Sequence, residues 1–185
     1  GLASEVKGLH GAMRKAIAGL KLNYGERDGL GAFGYTGPGT SRTGLTGVGV
    51  LCLQTLGAWK TPEYRGGLVG LSNWQFDWAD PRAGSFLYYM YYTTQAKFHA
   101  GGTTWWKWKC EYEDELIGNQ TVVPKERSRY TDETGTPHEI GSWKSPADKE
   151  HSRGLEMDTI LCTLMLEVFY RHRPLYRNTY TSDIR

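Results

Sequence analysis

The feature that most constrains this chain is a pattern that returns three times: a short apolar segment with helical spacing, a polar Gly-rich loop ending in an aromatic, and a second apolar helical segment. The loops run from Asn23 through Gly29 to Gly34-Tyr35, from Asn73 through Asp77 and Asp80 to Gly84-Ser85-Phe86, and from Asn119-Gln120 to Gly141-Ser142-Trp143. Placing Gln54 over Gln95 and over Glu167 superimposes residues 46–57, 87–98 and 159–170, so the second helix of each pair occupies an equivalent position. Such repetition marks an array of supersecondary units, each of which buries its apolar face by stacking on the next.

Apolar spacing predicts six helices in three pairs. The first covers 10–23, with Met13, Ile17 and Leu20 on one face. The second covers 43–57, carries Leu45, Val48, Leu51 and Leu53, and stops at Gly57, a residue suited to a left-handed cap. Thr61-Pro62-Glu63 opens the third, with Pro in the first turn, and Ser72-Asn73 closes it; its apolar face is Leu68, Val69 and Leu71. The fourth, 85–99, contains Tyr88-Tyr89-Met90-Tyr91-Tyr92, a composition favoured in strands, and is assigned to helix because it superimposes on two helical segments. The fifth, 103–118, places Trp105, Trp108, Tyr112 and Leu116 at helical spacing, and the sixth, 156–171, is the most apolar. Residues 121–140 interrupt the third unit with Pro124, Lys125-Glu126-Arg127, a Thr-rich polar stretch and Pro137. They follow neither period and read as an exposed excursion, with room for a short hairpin.

At 185 residues the chain has the length of one domain, 1–185, with a substantial core. Seven tryptophans, twelve tyrosines and five phenylalanines, beside 24 glycines, imply turns made by glycine and walls made by aromatics. The net charge of +2 comes from scattered basic residues, which argues against nucleic acid as a partner. Three cysteines are an odd number; Cys52 and Cys162 lie in apolar helical stretches where small buried thiols are common, and Cys110 lacks a neighbouring Cys or His at zinc-site spacing. No apolar run has the roughly 20 residues of a membrane span. The start at Gly1 in place of Met suggests a removed N-terminus, and if that segment held a secretion signal the location would be secreted or periplasmic; the compartment stays open.

The segments Leu45-Thr46-Gly47-Val48-Gly49-Val50-Leu51-Cys52-Leu53-Gln54, Tyr88 to Ala96, and Leu164-Met165-Leu166-Glu167-Val168-Phe169-Tyr170-Arg171, each after a Gly-aromatic loop, resemble prenyltransferase/squalene-cyclase repeats, and more narrowly the bacterial proteins that carry them. The resemblance covers most of 10–175 and implies an all-α fold, an α/α toroid of helical hairpins. In that fold the first helix of each pair lies outside, the second inside, and the loop ties the two. The nearest equivalent of the family's glutamine-to-tryptophan motif is Gln120 followed by Gly141-Ser142-Trp143. Asn23 with Asp28-Gly29 and Phe33-Gly34-Tyr35 is a degenerate copy, and the 73–86 loop a weaker one. Closed toroids of this kind use about ten to twelve helices, as the resemblance implies; six make a partial or open barrel, to be completed by further repeats or self-association.

With the second helices inside, as the resemblance implies, their N-termini gather at one mouth, a setting suited to anionic groups. Arg42, Thr43, Arg82, Ser85, His151 and Arg153 fall near it in sequence, and Arg42, Thr46, Tyr88, Tyr92 and Trp105 are the candidate cavity residues. Tyr88 and Tyr92 share a helical face and could form an aromatic wall for a cation or a sugar ring, or serve as packing core. The candidate catalytic carboxylates are Asp77, Asp80 and Asp158, with Glu156 near the last; each also suits a helix start. The three-aspartate acid motif of class II cyclases is missing, which departs from the pattern that the resemblance implies. A zinc site, which prenyltransferases of similar fold build from Asp, Cys and His, would need Asp158 and Cys162 with distant His151 or His172, and no metal or other cofactor is expected. Gly29 to Gly34 spells G-x-G-x-x-G, but a helix precedes it where the dinucleotide fingerprint needs a strand.

Three functions fit these features. A non-catalytic binding or interaction scaffold with an aromatic-lined cavity is preferred, on the missing acid and metal motifs and the short length. An isoprenoid-handling enzyme or binder and a carbohydrate-binding or carbohydrate-active toroid are the alternatives, so the sequence does not decide whether the chain is an enzyme. An apolar or aromatic-stacking small molecule is the expected ligand.

Overall fold

A computed structural model describes residues 7–39, 45–79, 86–145 and 154–171. The described chain is mostly helical: α1 (Leu9–Leu22), α2 (Leu45–Thr55), α3 (Pro62–Ser72), α4 (Phe86–Ala100), α5 (Gly102–Gly118), α6 (Leu155–Leu166) and the short α7 (Val168–Arg171). Two small antiparallel hairpins accompany the helices: β1 (Tyr24–Arg27) with β2 (Leu30–Phe33), which corrects the all-α expectation, and β3 (Thr121–Val123) with β4 (Ile140–Ser142), at the excursion where a short hairpin had room to form. The six predicted helices all form, the sixth breaking at Glu167 into α6 and α7.

The first hairpin arises where a polar loop was expected. Asp28 and Gly29 both have positive φ (55° and 75°), the signature of a two-residue turn whose twist matches the strands it joins. Tyr24 therefore pairs with Phe33 and Arg27 with Leu30. The aromatic that docks is Phe33, the last residue of β2 and 2% exposed, while Tyr35, beyond the end of the strand, is 85% exposed. The second hairpin is the neck of the 121–140 excursion, with Val122 opposite Gly141.

α4 is the centre of the molecule. It packs against α2 on one side and α6 on the other, with α5 and α7 also against it; α3 rests mainly on α2 and β2. Two hydrophobic clusters result. One gathers Phe33, Val50, Leu53, Tyr64 and Leu71, with Ile17 and Leu20 of α1 half-buried at its edge. The other is larger and more aromatic, holding Phe76, Trp78, Phe98, Trp105, Trp108, Tyr112, Trp143 and Met165. Polar ties cross both: Gln54 Nε2 donates to Ala96 O at 3.0 Å and to the Tyr64 hydroxyl at 3.3 Å, joining α2 to α4 and α3. Tyr112 Oη donates to Met165 O at 3.2 Å, joining α5 to α6. Such bonds satisfy groups whose burial without a partner would cost more than the bond itself contributes.

Candidate functional site

Loop aromatics are fixed by one recurring contact. Phe33 N–H donates to Thr46 Oγ1 at 3.3 Å, and Trp143 N–H donates to Thr159 Oγ1 at 3.2 Å. Thr46 and Thr159 are equivalent positions of the superimposed repeats, so in α2 and α6 a threonine near the helix start receives the incoming loop, whereas α4 carries Leu87 at that position. Trp143 also donates its indole N–H to Leu116 O at 2.7 Å, which caps α5 and ties it to α6 through one residue. The Gln120 side-chain amide packs directly on Gly141, in the space a Cβ would take. Thr46, a candidate cavity residue, is thus buried at 2% exposure in a loop anchor.

The other sequence candidates separate. Tyr88 and Tyr92 meet edge to face with ring centroids 4.9 Å apart; Tyr89 lies 5.8 Å from Tyr88 and Tyr91 lies 5.1 Å from Tyr92. All four are half-buried. The Tyr92 hydroxyl is pushed up to about 12, first by its hydrogen bond with Tyr88, then by burial, and Cys52 of α2 adds to the effect. Trp105 is elsewhere: it packs edge-on against Phe98 at 5.1 Å, ten residues, or about 15 Å of helix, beyond Tyr88. Arg42 lies outside the described residues, as do Thr43, Arg82, Ser85, His151, Arg153 and His172.

Among the carboxylates, Asp80 also lies outside the described residues. Residues 74–79 run as an alternating segment with Trp74, Phe76 and Trp78 turned inward, and this alternation leaves Asp77 exposed, accepting from Ala79 N–H at 2.9 Å. Asp158 is 2% exposed and accepts from Ser145 N–H at 2.8 Å, holding the chain after Trp143 against α6. It sits close enough to Cys162 to reinforce burial in raising that thiol. Among the described residues no three His, Cys, Asp or Glu side chains converge as metal ligands, and no helix is long and apolar enough to cross a membrane.

Sequence reasoning missed Lys97. It lies on α4 at 3% exposure, donates Nζ–H to Trp74 O at 3.0 Å and sits 3.8 Å from the centroid of the Trp108 ring. The Trp108 indole is itself held by Thr94 Oγ1 at 3.0 Å. A cleft of about 320 Å³ opens here, lined among others by Trp74, Lys97, Thr104, Lys107, Trp108 and Glu111. Burial pulls the Lys97 ammonium down to about 7; Glu111 opposes the shift and Lys107 adds to it. A signal existed in the repeat itself, because Lys97 superimposes on Leu56 and Phe169, both apolar. Lys97 is nine residues from Tyr88, which places the cleft about 13 Å along α4 and on its opposite side. Comparison of the chain with family models, with curated proteins and with solved structures returned no match.

Proposed function

We propose that this chain is a helical-hairpin repeat module of the α/α-toroid kind, akin to prenyltransferase/squalene-cyclase repeats, that works as a non-catalytic binding scaffold. The tyrosines of α4 are its ligand face. The observation that carries this reading is the half-buried cluster of Tyr88, Tyr89, Tyr91 and Tyr92 beside Cys52, four rings in edge-to-face contact with surface left for a partner. Tyrosine offers wide, stiff contact area at low conformational cost, and its ring face attracts apolar and cationic groups. The series α2, α4, α6, with α3 resting on α2 and α5 on α4, supports the toroid reading. So do the matching anchors at Thr46 and Thr159. The roles of the carboxylates support binding over turnover, since Asp158 holds a loop and Asp77 closes a turn at the surface.

Native mass spectrometry of the purified protein, followed by titration with farnesol, tests the scaffold. A retained apolar ligand, or saturable farnesol binding that Tyr88→Ala and Tyr92→Ala each weaken about tenfold, fits the proposal. Binding that ignores both substitutions removes the tyrosine face. The isoprenoid-enzyme reading takes over if farnesyl diphosphate or squalene is converted to product and Asp77→Ala abolishes the conversion.

A further inference from the structure

We propose that Lys97 is the nucleophile of a carbonyl-capture site, its amine condensing with a small aldehyde or ketone seated in the cleft between Trp74 and Trp108 to form an imine. The cleft is separate from the tyrosine face, and the inference stands without it.

Lysine is almost never fully buried unless a carboxylate pairs with it. Lys97 is 3% exposed, and among the described residues no carboxylate forms an ion pair with it. Its contacts are a backbone carbonyl and an indole face. Desolvation beside a second cation is the arrangement that makes a lysine amine nucleophilic near neutral pH. Here Trp74 and Trp108 supply the apolar wall and Lys107 the second cation. The cleft, about 320 Å³, has the size of a small-molecule site, and it brings the amine together with Glu111, a carboxylate able to carry protons. The fall of the Lys97 ammonium to about 7 agrees with this geometry.

The chemistry balances without any oxidant or reductant. The Nζ lone pair adds to the carbonyl carbon, forming the C–N bond as the carbonyl π pair moves to oxygen. That oxygen takes up the proton released by nitrogen, with Glu111 as carrier, and the carbinolamine then expels water to leave C=N. The product is a reversible covalent adduct, a mode of binding rather than a turnover.

The test incubates the folded, full chain with benzaldehyde and sodium cyanoborohydride at pH 7, then maps benzylated lysines by peptide mass spectrometry. The expected result is modification at Lys97 at least about tenfold faster than at exposed Lys107, a preference lost when the same reaction is run in guanidinium. Lys97→Met should remove the fast-labelled site and leave labelling of the other lysines unchanged. Labelling that follows exposure, with Lys97 unmodified or no faster than Lys107, overturns the proposal. The wild-type map decides this by itself, whatever the folding of the variant.

Discussion

In the core around Phe33, the loop aromatic bonds to Thr46 and wedges against Gly49 and Gly67; in the core around Trp143, it bonds to Thr159 and shares one buried cluster with Trp78, Trp105 and Trp108. The anchor is the same and the filling is opposite. Glycines in α2 and α3 let β2 approach closely, Gly70 facing Gly31 backbone, and one phenylalanine then fills what remains. In the second core four buried tryptophans make up much of the volume. A repeat can therefore keep one hydrogen bond fixed while side-chain volume is redistributed around it, as long as interior packing density is preserved.

The largest way to break the comparison is Trp143→Ala, which removes both the filling and the bond to Leu116 O. A loss of about 3–5 kcal/mol by urea denaturation is expected. Next comes pH, which acts on the aromatic core through Lys97. Its folded-state value of about 7 lies below the ordinary 10.5, so between these values the unfolded chain binds more protons and stability rises with pH. Wild type should gain roughly 2–4 kcal/mol relative to Lys97→Met between pH 7 and 10, read as the difference of two denaturation series. Gly70→Ala drives a methyl into Gly31 O of the glycine-lined core and should cost about 1–3 kcal/mol, seen as a lowered Tm. The smallest and sharpest test compares Thr46→Val with Thr159→Val. Each should cost about 1 kcal/mol, and a gap between them larger than that breaks the equivalence of the two anchors.

The helices were legible because their apolar residues recur at helical spacing over ten residues or more, and because three copies reinforced one another, which carried Tyr88 to Tyr92 into α4 against local propensity. The β1–β2 hairpin was not, since each arm is four residues long and contains glycine; only Asp28-Gly29 announced it. The roles of Thr46 and Asp158 depend on loops that fold back from outside their helices, which spacing within a helix does not reveal. Lys97 is the plainest case. A lysine in a helix reads as solvated, and its burial is decided by Trp74 and Trp108, 23 and 11 residues away in the chain.

The neck formed by β3 and β4 separates two parts of one loop. Beyond it, the chain from Pro124 to Glu139 is almost wholly exposed and organised by its own contacts, such as Asp132 accepting from Thr134 and Thr136 N–H and meeting His138 at 2.9 Å. Below it, Gln120, Gly141 and Trp143 set α5 against α6. Three residue pairs thus separate the α5–α6 junction from the exposed stretch above it. This is the place where the protein can lengthen, shed or exchange sequence, or accept a reporter, without resetting the register of its helices.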